Sequence, residues 1–190
     1  MRELALHVLD ILQNTVEADA THVVLTIDED YLADRLTICV ADDGRGMDGP
    51  VLSRVTNPFF TTRTTRHVGL GLPLLAAAAE RAGGALRMAS QPGIGTRITI
   101  FFQMSHPDRQ PLGDIAGTLL AFLLSAQAPE LRYTHRVIRA HAPGAPIHAF
   151  GFDTADIRRE LGDLPLSYPT VQQWLAEFLN EGERELKAEG

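Results

Sequence analysis

The chain has a single cysteine, Cys39, among 190 residues, so no disulfide can form within it. A lone thiol in an apolar strand pattern suits a reducing compartment. Basic residues are also in short supply: 17 Lys and Arg stand against 24 Asp and Glu, a formal net charge of −7. That balance argues against a nucleic-acid backbone as partner. No apolar run is long enough to span a bilayer; the most apolar stretch, near Leu119 to Leu124, is far short of the roughly 20 residues required. The first fourteen residues carry acids and amides too early for a secretory leader, so a cytoplasmic protein is expected. His135, His141 and His148 fit no zinc spacing, and there is no internal repeat or low-complexity tract. At 45% hydrophobic and 22% charged, the composition is that of an ordinary globular protein.

What is present centres on Asp42-Asp43-Gly44-Arg45-Gly46-Met47, which follows the apolar run Leu36 to Ala41. A strand ending in an acid and two glycines suggests a ligand site at its C-terminal end. Glycines let the backbone approach a flat ligand. A carboxylate beside them can accept from an exocyclic amine such as adenine N6, a charge-assisted bond worth about 1.5–3 kcal/mol. Alone, the stretch would be an ordinary strand-end turn.

The surrounding sequence gives it company. Residues 3 to 20 have helical periodicity, with Leu4, Val8, Ile11, Leu12 and Val16 on one face. His7, Asp10, Asn14 and Glu17 form a polar stripe on another, which on an isolated helix would be a solvated face. Asp10 and Asn14 lie one turn apart. Asn14 can offer an oxygen to Mg2+, and Asp10 can orient or deprotonate a nucleophile; His7 is taken as a neighbour in the stripe. Val23 to Ile27 and Arg35 to Ala41 read as strands, with a turn-rich connector over 28 to 34.

Residues 48 to 68 lack periodicity. They contain Asn57-Pro58-Phe59-Phe60-Thr61-Thr62-Arg63, then Arg66, just before Gly69-Leu70-Gly71-Leu72-Pro73. Hydroxyls and guanidinium groups there suit a lid over phosphates. A glycine loop feeding a helix start is an anion site, with Pro73 in the first turn and Gly83-Gly84 as the stop. Leu86 to Ser90 and Thr96 to Phe102 read as a hairpin turning at Pro92 to Gly95, and Thr96 could donate to the ligand.

In this order the elements resemble the Bergerat-fold, or GHKL, ATPase superfamily, most closely the catalytic domains of histidine kinases, over about residues 1 to 102. The chain also looks like small stand-alone ATP-binding proteins. The resemblance implies that Asn14 holds Mg2+, that Asp42 reads the adenine amine, and that Gly44 and Gly46 admit the base. It implies that Gly69 and Gly71 meet the phosphates and that Thr96 joins the water network around adenine. Met47, Thr62, Arg63, Arg66, Leu70 and Leu72 complete the expected nucleotide-binding set. Asp10 stands where many members carry a Glu base, one methylene longer.

Beyond residue 104 no motif appears. A linker near 105 to 111 leads to an apolar helix over 112 to 127 with Ile115, Leu119, Phe122 and Leu123 on one side. Strands are expected at 131 to 140 and 148 to 153, a short helix capped by Asp153 through Leu161, and a last helix over 170 to 187 with Val171, Trp174, Leu175 and Phe178 inward. The expected fold is α+β: a Bergerat-type two-layer α/β sandwich, a mixed sheet with helices on one face, over 1–104, plus a small C-terminal α+β appendage over 105–190. The expected function is Mg-ATP binding with hydrolysis or phosphotransfer to a partner protein. A phosphoacceptor-His hairpin is expected to be absent, because the ATP-site helix begins at residue 3. The alternatives are a non-catalytic nucleotide sensor and an interaction domain that has lost ATP. The partners expected are ATP, an unidentified protein or phosphoacceptor and, as an option, a second copy in a homodimer, with no nucleic acid and no membrane span.

Overall fold

Leu4, Ala5, Val8, Ile11 and Leu12 recur every three or four residues and are all buried, which makes α1 (Leu4–Glu17) an amphipathic helix with one face in the core. Its first N–H groups have no partners within the helix. The Leu4 and Ala5 N–H groups instead donate to the carbonyls of Pro111 (3.0 Å) and Leu112 (2.8 Å), far along the chain. The computed structural model describes residues 3–53, 55, 71–139 and 147–189.

β1 (His22–Asp30) and β2 (Arg35–Asp42) form a hairpin. The strand runs further than the connector expected over 28 to 34, because the Asp30 carboxylate closes the turn itself, accepting from Leu32 and Ala33 N–H. A four-residue helix, α2 (Gly49–Leu52), has no counterpart in the sequence reading; Asp48 caps it by accepting from Val51 N–H. Then come α3 (Gly71–Arg81) and a second hairpin, β3 (Ala85–Gln91) with β4 (Gly95–Gln103). α4 (Ile115–Leu123) is shorter than the 112 to 127 expected. Asp114 caps its start by accepting from Gly117 N–H, and the helix closes at Leu124. β5 (Glu130–Ile138), β6 (His148–Asp153), α5 (Thr154–Leu161) and α6 (Pro169–Glu189) complete the described chain.

All six strands lie in one mixed sheet, in the order β3-β4-β2-β1-β5-β6. β5 lies parallel to β1, and the other neighbours are antiparallel. Residues 105–190 therefore contribute two strands to the same sheet as residues 1–104. One face of the sheet carries Leu25, Ile27, Ile38, Val40, Ile98, Ile100, Phe102, Leu131 and Tyr133, packed against α1, α3 and α6, with α4 against α1 and α6. The other face presents polar side chains such as Thr26, Thr37, Arg97 and Thr99. The alternation is that of a sheet with a single covered face.

Two side chains depart from the sequence reading. Trp174 is 45% exposed rather than inward. The inward line of α6 runs through Val171, Leu175, Leu179 and Leu186, and the Trp174 ring lies off it, stacked on Phe178 at 5.4 Å. His7, read as part of a polar stripe, is buried at 6% exposure, because it sits beside Leu4 and Val8 on the core-facing part of α1.

Candidate functional site

The site is built on one transverse row of the sheet. Ser90, Thr96, Asp42 and Val23 are register partners across β3, β4, β2 and β1. By alternation they face the helix layer, as Ile98 and Val40 do two residues along. Ser90 follows Leu86 and Met88 on that face, so a hydroxyl stands where the pattern would put an apolar residue. Asp42 is half-buried. One carboxylate oxygen accepts from Gly44 N–H at 2.9 Å, and the Thr96 N–H lies close enough to favour the charged form. Burial pushes its pKa above the ordinary carboxylate value, the two N–H donors pull the other way, and neighbouring Asp43 adds to the rise. The Gly44 N–H takes one of the roughly four lone-pair sites of a carboxylate and leaves others open to a ligand.

The turn after Asp42 is seated on the β3–β4 hairpin. Gly93 N–H donates to the Arg45 carbonyl (2.8 Å) and Met47 N–H to Ser90 Oγ (2.8 Å). Gly46 has φ +64°, and a Cβ there would run into the Gln91 carbonyl oxygen. Gly95 has φ +126°, and a Cβ there would run into the carbonyl of Asp42. Both positions therefore require glycine for the close packing of backbone on backbone, independently of any ligand.

Asp43 points the other way and ties strand to strand. Its carboxylate accepts from Thr21 N–H (2.7 Å), Thr21 Oγ1 (2.6 Å), His22 N–H (2.8 Å) and His22 Nδ1 (2.9 Å). Burial works against the charge, but the Thr21 hydroxyl and the N–H donors hold the carboxyl far below its usual range. The same bond from Asp43 raises the pKa of His22, whose Nε2 lies 3.4 Å from Glu130 at the start of β5.

α1 spans the other wall. Arg45 N–H donates to the Ala18 carbonyl (2.9 Å), fixing the end of α1 to the Asp42 turn. One turn back is Asn14, half-buried, and a further turn back is Asp10, exposed. The Asp10 carboxylate lies 3.3 Å from where a Cβ on Gly71 would sit, at the first residue of α3. From Asp10 to Ala18 is eight residues, about 12 Å along the axis. The Asp42 turn and the start of α3 thus meet α1 at its two ends, with Asn14 and Asp10 between Ala18 and Gly71. Thr62, Arg63, Arg66, Gly69 and Leu70 lie outside the described residues, as does the phrase Asn57 to Arg63; Leu72 is packed against the core at the start of α3. Ser90 has no role in the sequence reading, where Asp43 figures only as part of the strand-end stretch and Gly95 only as part of the turn.

Residues 2–106 match the family described as histidine kinase-, DNA gyrase B-, and HSP90-like ATPase. The chain belongs to this ATPase family. Membership gives it an ATP-binding, kinase-like domain. Among curated relatives it is 29% identical over 105 residues to the sensor histidine kinase ZraS of Escherichia coli (strain K12), covering 55% of this chain and 22% of that protein. It is 38% identical over 97 residues to the sensor protein kinase FleS of Pseudomonas aeruginosa, covering 51% of this chain and 24% of that one. The chain thus spans about a quarter or less of the length of these relatives. Among solved structures, the N-terminal domain of a DNA repair protein matches with a TM-score of 0.55 at 14% identity, over 78% of this chain and 52% of that one. At that identity the likeness speaks for the fold alone, and it takes in more of the chain than residues 2–106. No helix among the described residues is long and apolar enough to cross a membrane.

Proposed function

We propose that the chain binds Mg-ATP in the cleft between α1, the start of α3 and the ends of β2 and β4, and that it hydrolyses the nucleotide or transfers its terminal phosphoryl group to a partner protein in cytoplasmic signal transduction. The observation that carries this reading is Asp42: a half-buried carboxylate held by the Gly44 N–H, with lone pairs to spare, at the end of a helix whose Asp10 lies beside the start of α3. Asp42 accepts from the purine amine, with Gly44, Gly46 and Met47 forming the turn beneath the base and Thr96 beside it. The N–H groups of Gly71 and Leu72 at the open end of α3, continuing the Gly69-Leu70 segment, receive the phosphates. Thr62, Arg63 and Arg66 supply donors to the terminal phosphate.

Mg2+, when bound, screens the charge of the phosphate chain. Asn14 offers it an oxygen. Among the described residues no group of three or more His, Cys, Asp or Glu could hold a metal by itself. That suits an ion held mainly by substrate phosphates and water, as Mg2+ commonly is. Asp10, beside the start of α3, orients or deprotonates the nucleophile. The partner is met by residues 105–190.

A second reading, a non-catalytic sensor whose ATP state is read by a partner, draws on the same Asp10: the shorter side chain lies against Gly71 and reaches less far than a Glu. Calorimetry with Mg2+ tests the site. Asp42→Asn and Asn14→Ala should both weaken ATP binding, the former by about tenfold or more; equal affinity in wild type and both variants would remove the site. Phosphate release and transfer of labelled phosphate to candidate partners separate the two readings. Turnover abolished by Asp10→Ala excludes the pure sensor.

A further inference from the structure

The Ser90 hydroxyl lies 2.9 Å from the Gly95 carbonyl oxygen, 2.9 Å from Thr96 Oγ1 and 2.8 Å from Met47 N. A hydroxyl has one hydrogen and two lone pairs. A carbonyl oxygen cannot donate, so the Ser90 hydrogen lies toward Gly95. The Met47 N–H takes one lone pair. The contact with Thr96 is then a hydrogen bond only if Thr96 donates to Ser90. The inventory of Ser90 is full: one bond given, two received.

The consequence falls on Thr96. With its proton committed to Ser90, it turns lone pairs alone toward the cleft. Asp42, its register partner on β2, likewise offers only lone pairs: a carboxylate is an acceptor, and it receives the bond from Gly44 N–H. We propose that Ser90 is a specificity-determining positioning residue: by taking the Thr96 proton it makes the base-reading end of the cleft acceptor-only, so that the cleft takes a 6-amino purine and disfavours a 6-oxo purine. A 6-amino group, or a water donating both its hydrogens, satisfies two adjacent acceptors. A 6-oxo group adds a third acceptor, facing the other two across lone pairs, and leaves only the neighbouring ring N1–H to donate. Thr96, read from sequence as a donor to the ligand, becomes an acceptor.

This inference rests on the nucleotide reading of the cleft, and the experiment separates the two. ATP and ITP, which differ in the 6-amino and 6-oxo groups, are titrated calorimetrically into wild type, Ser90→Ala and Ser90→Thr, with the unfolding midpoint of each measured without nucleotide. Ser90→Ala frees the Thr96 hydrogen to turn toward O6, so the ATP-over-ITP preference should narrow by about five- to tenfold, chiefly through tighter ITP binding. Ser90→Thr keeps the hydroxyl and should restore the preference. A merely structural role would weaken both nucleotides alike and leave the ratio unchanged, which overturns the proposal. If Ser90→Ala does not fold, Ser90→Cys replaces it, because a thiol accepts far more weakly than a hydroxyl; an unaltered ratio there overturns the proposal equally. Failure of the wild type to bind either nucleotide would overturn the site reading itself, and this inference with it.

Discussion

His135 on β5 and Glu183 on α6 meet at 3.0 Å in the interior, the imidazole at 0% exposure. The other ring nitrogen lies 3.1 Å from Glu29 on β1, and the Tyr133 hydroxyl donates to Glu183 at 2.6 Å. Tyr31 donates to Glu29 as well, and Lys187 on α6 contributes positive charge near it. A cation between two carboxylates joins two strands of the sheet, β1 and β5, to the last helix. Burial alone would lower the pKa of His135, but the bonds to Glu183 and Glu29 raise it from 6.5 to about 9.

The sign of the pH dependence follows. A raised histidine pKa gives stability that is complete below pH 6.5 and is lost as pH climbs to about 9. At about 1.4 kcal/mol per pH unit the loss is on the order of 3 kcal/mol. On the acid side, burial works against the Glu29 charge, but the bond from His135 holds its carboxyl below 4.5, so that contribution fades as the solution becomes more acidic than this. Urea unfolding should give a stability maximum between these limits. Glu183→Ala, which leaves the imidazolium half-paired and the Tyr133 hydroxyl without its acceptor, should cost roughly 3 kcal/mol or more. A flat profile from pH 6.5 to 9 would mean that His135 is neutral in the folded protein.

The β3–β4 turn offers a comparison between two glycines. Gly93 has φ +73° with nothing within 4 Å of a would-be Cβ, whereas a Cβ on Gly95 would strike the Asp42 carbonyl. Gly93→Ala should therefore cost only the left-handed strain, about 1–2 kcal/mol. Gly95→Ala should cost clearly more and should also displace Asp42. Thermal unfolding without nucleotide orders the two, and equal midpoints would contradict the backbone contact.

Asp43 predicts an acid-side effect. Its folded pKa is depressed, so its contribution is present above the unfolded value near 3.8 and is lost as pH falls toward the folded one. Asp43→Ala should lower the unfolding midpoint at neutral pH, and the gap from wild type should shrink as pH drops below 4. Because the Asp43 side chain is 41% exposed, solvent screens the pair with His22 and the gap should be modest. A gap that widens in acid would point to a different origin.

Much of the fold could be read locally. α1, β2, the β3–β4 hairpin and β6 follow from periodicity and turn residues, and Asp42 follows from its place at a strand end. What escaped depends on distance along the chain. The parallel pairing of β5 with β1 leaves no mark in either segment. From sequence His135 figures only as a histidine that fits no zinc spacing, because Glu183 lies 48 residues away. Trp174 reads as core by hydrophobicity, but its ring finds Phe178 on its own helix. Ser90 was legible in principle: it breaks the inward series of Leu86 and Met88, and only its three partners explain why.

The match to the ATPase family stops at residue 106, but the fold does not divide there. Without β5, the nine residues of β1 would become a bare sheet edge, a row of unpaired N–H and C=O groups of the kind that invites aggregation. Without Pro111 and Leu112, the helix that carries Asp10 and Asn14 would begin with two naked donors. The second half of the chain, whatever else it meets, is the wall against which the nucleotide half is built.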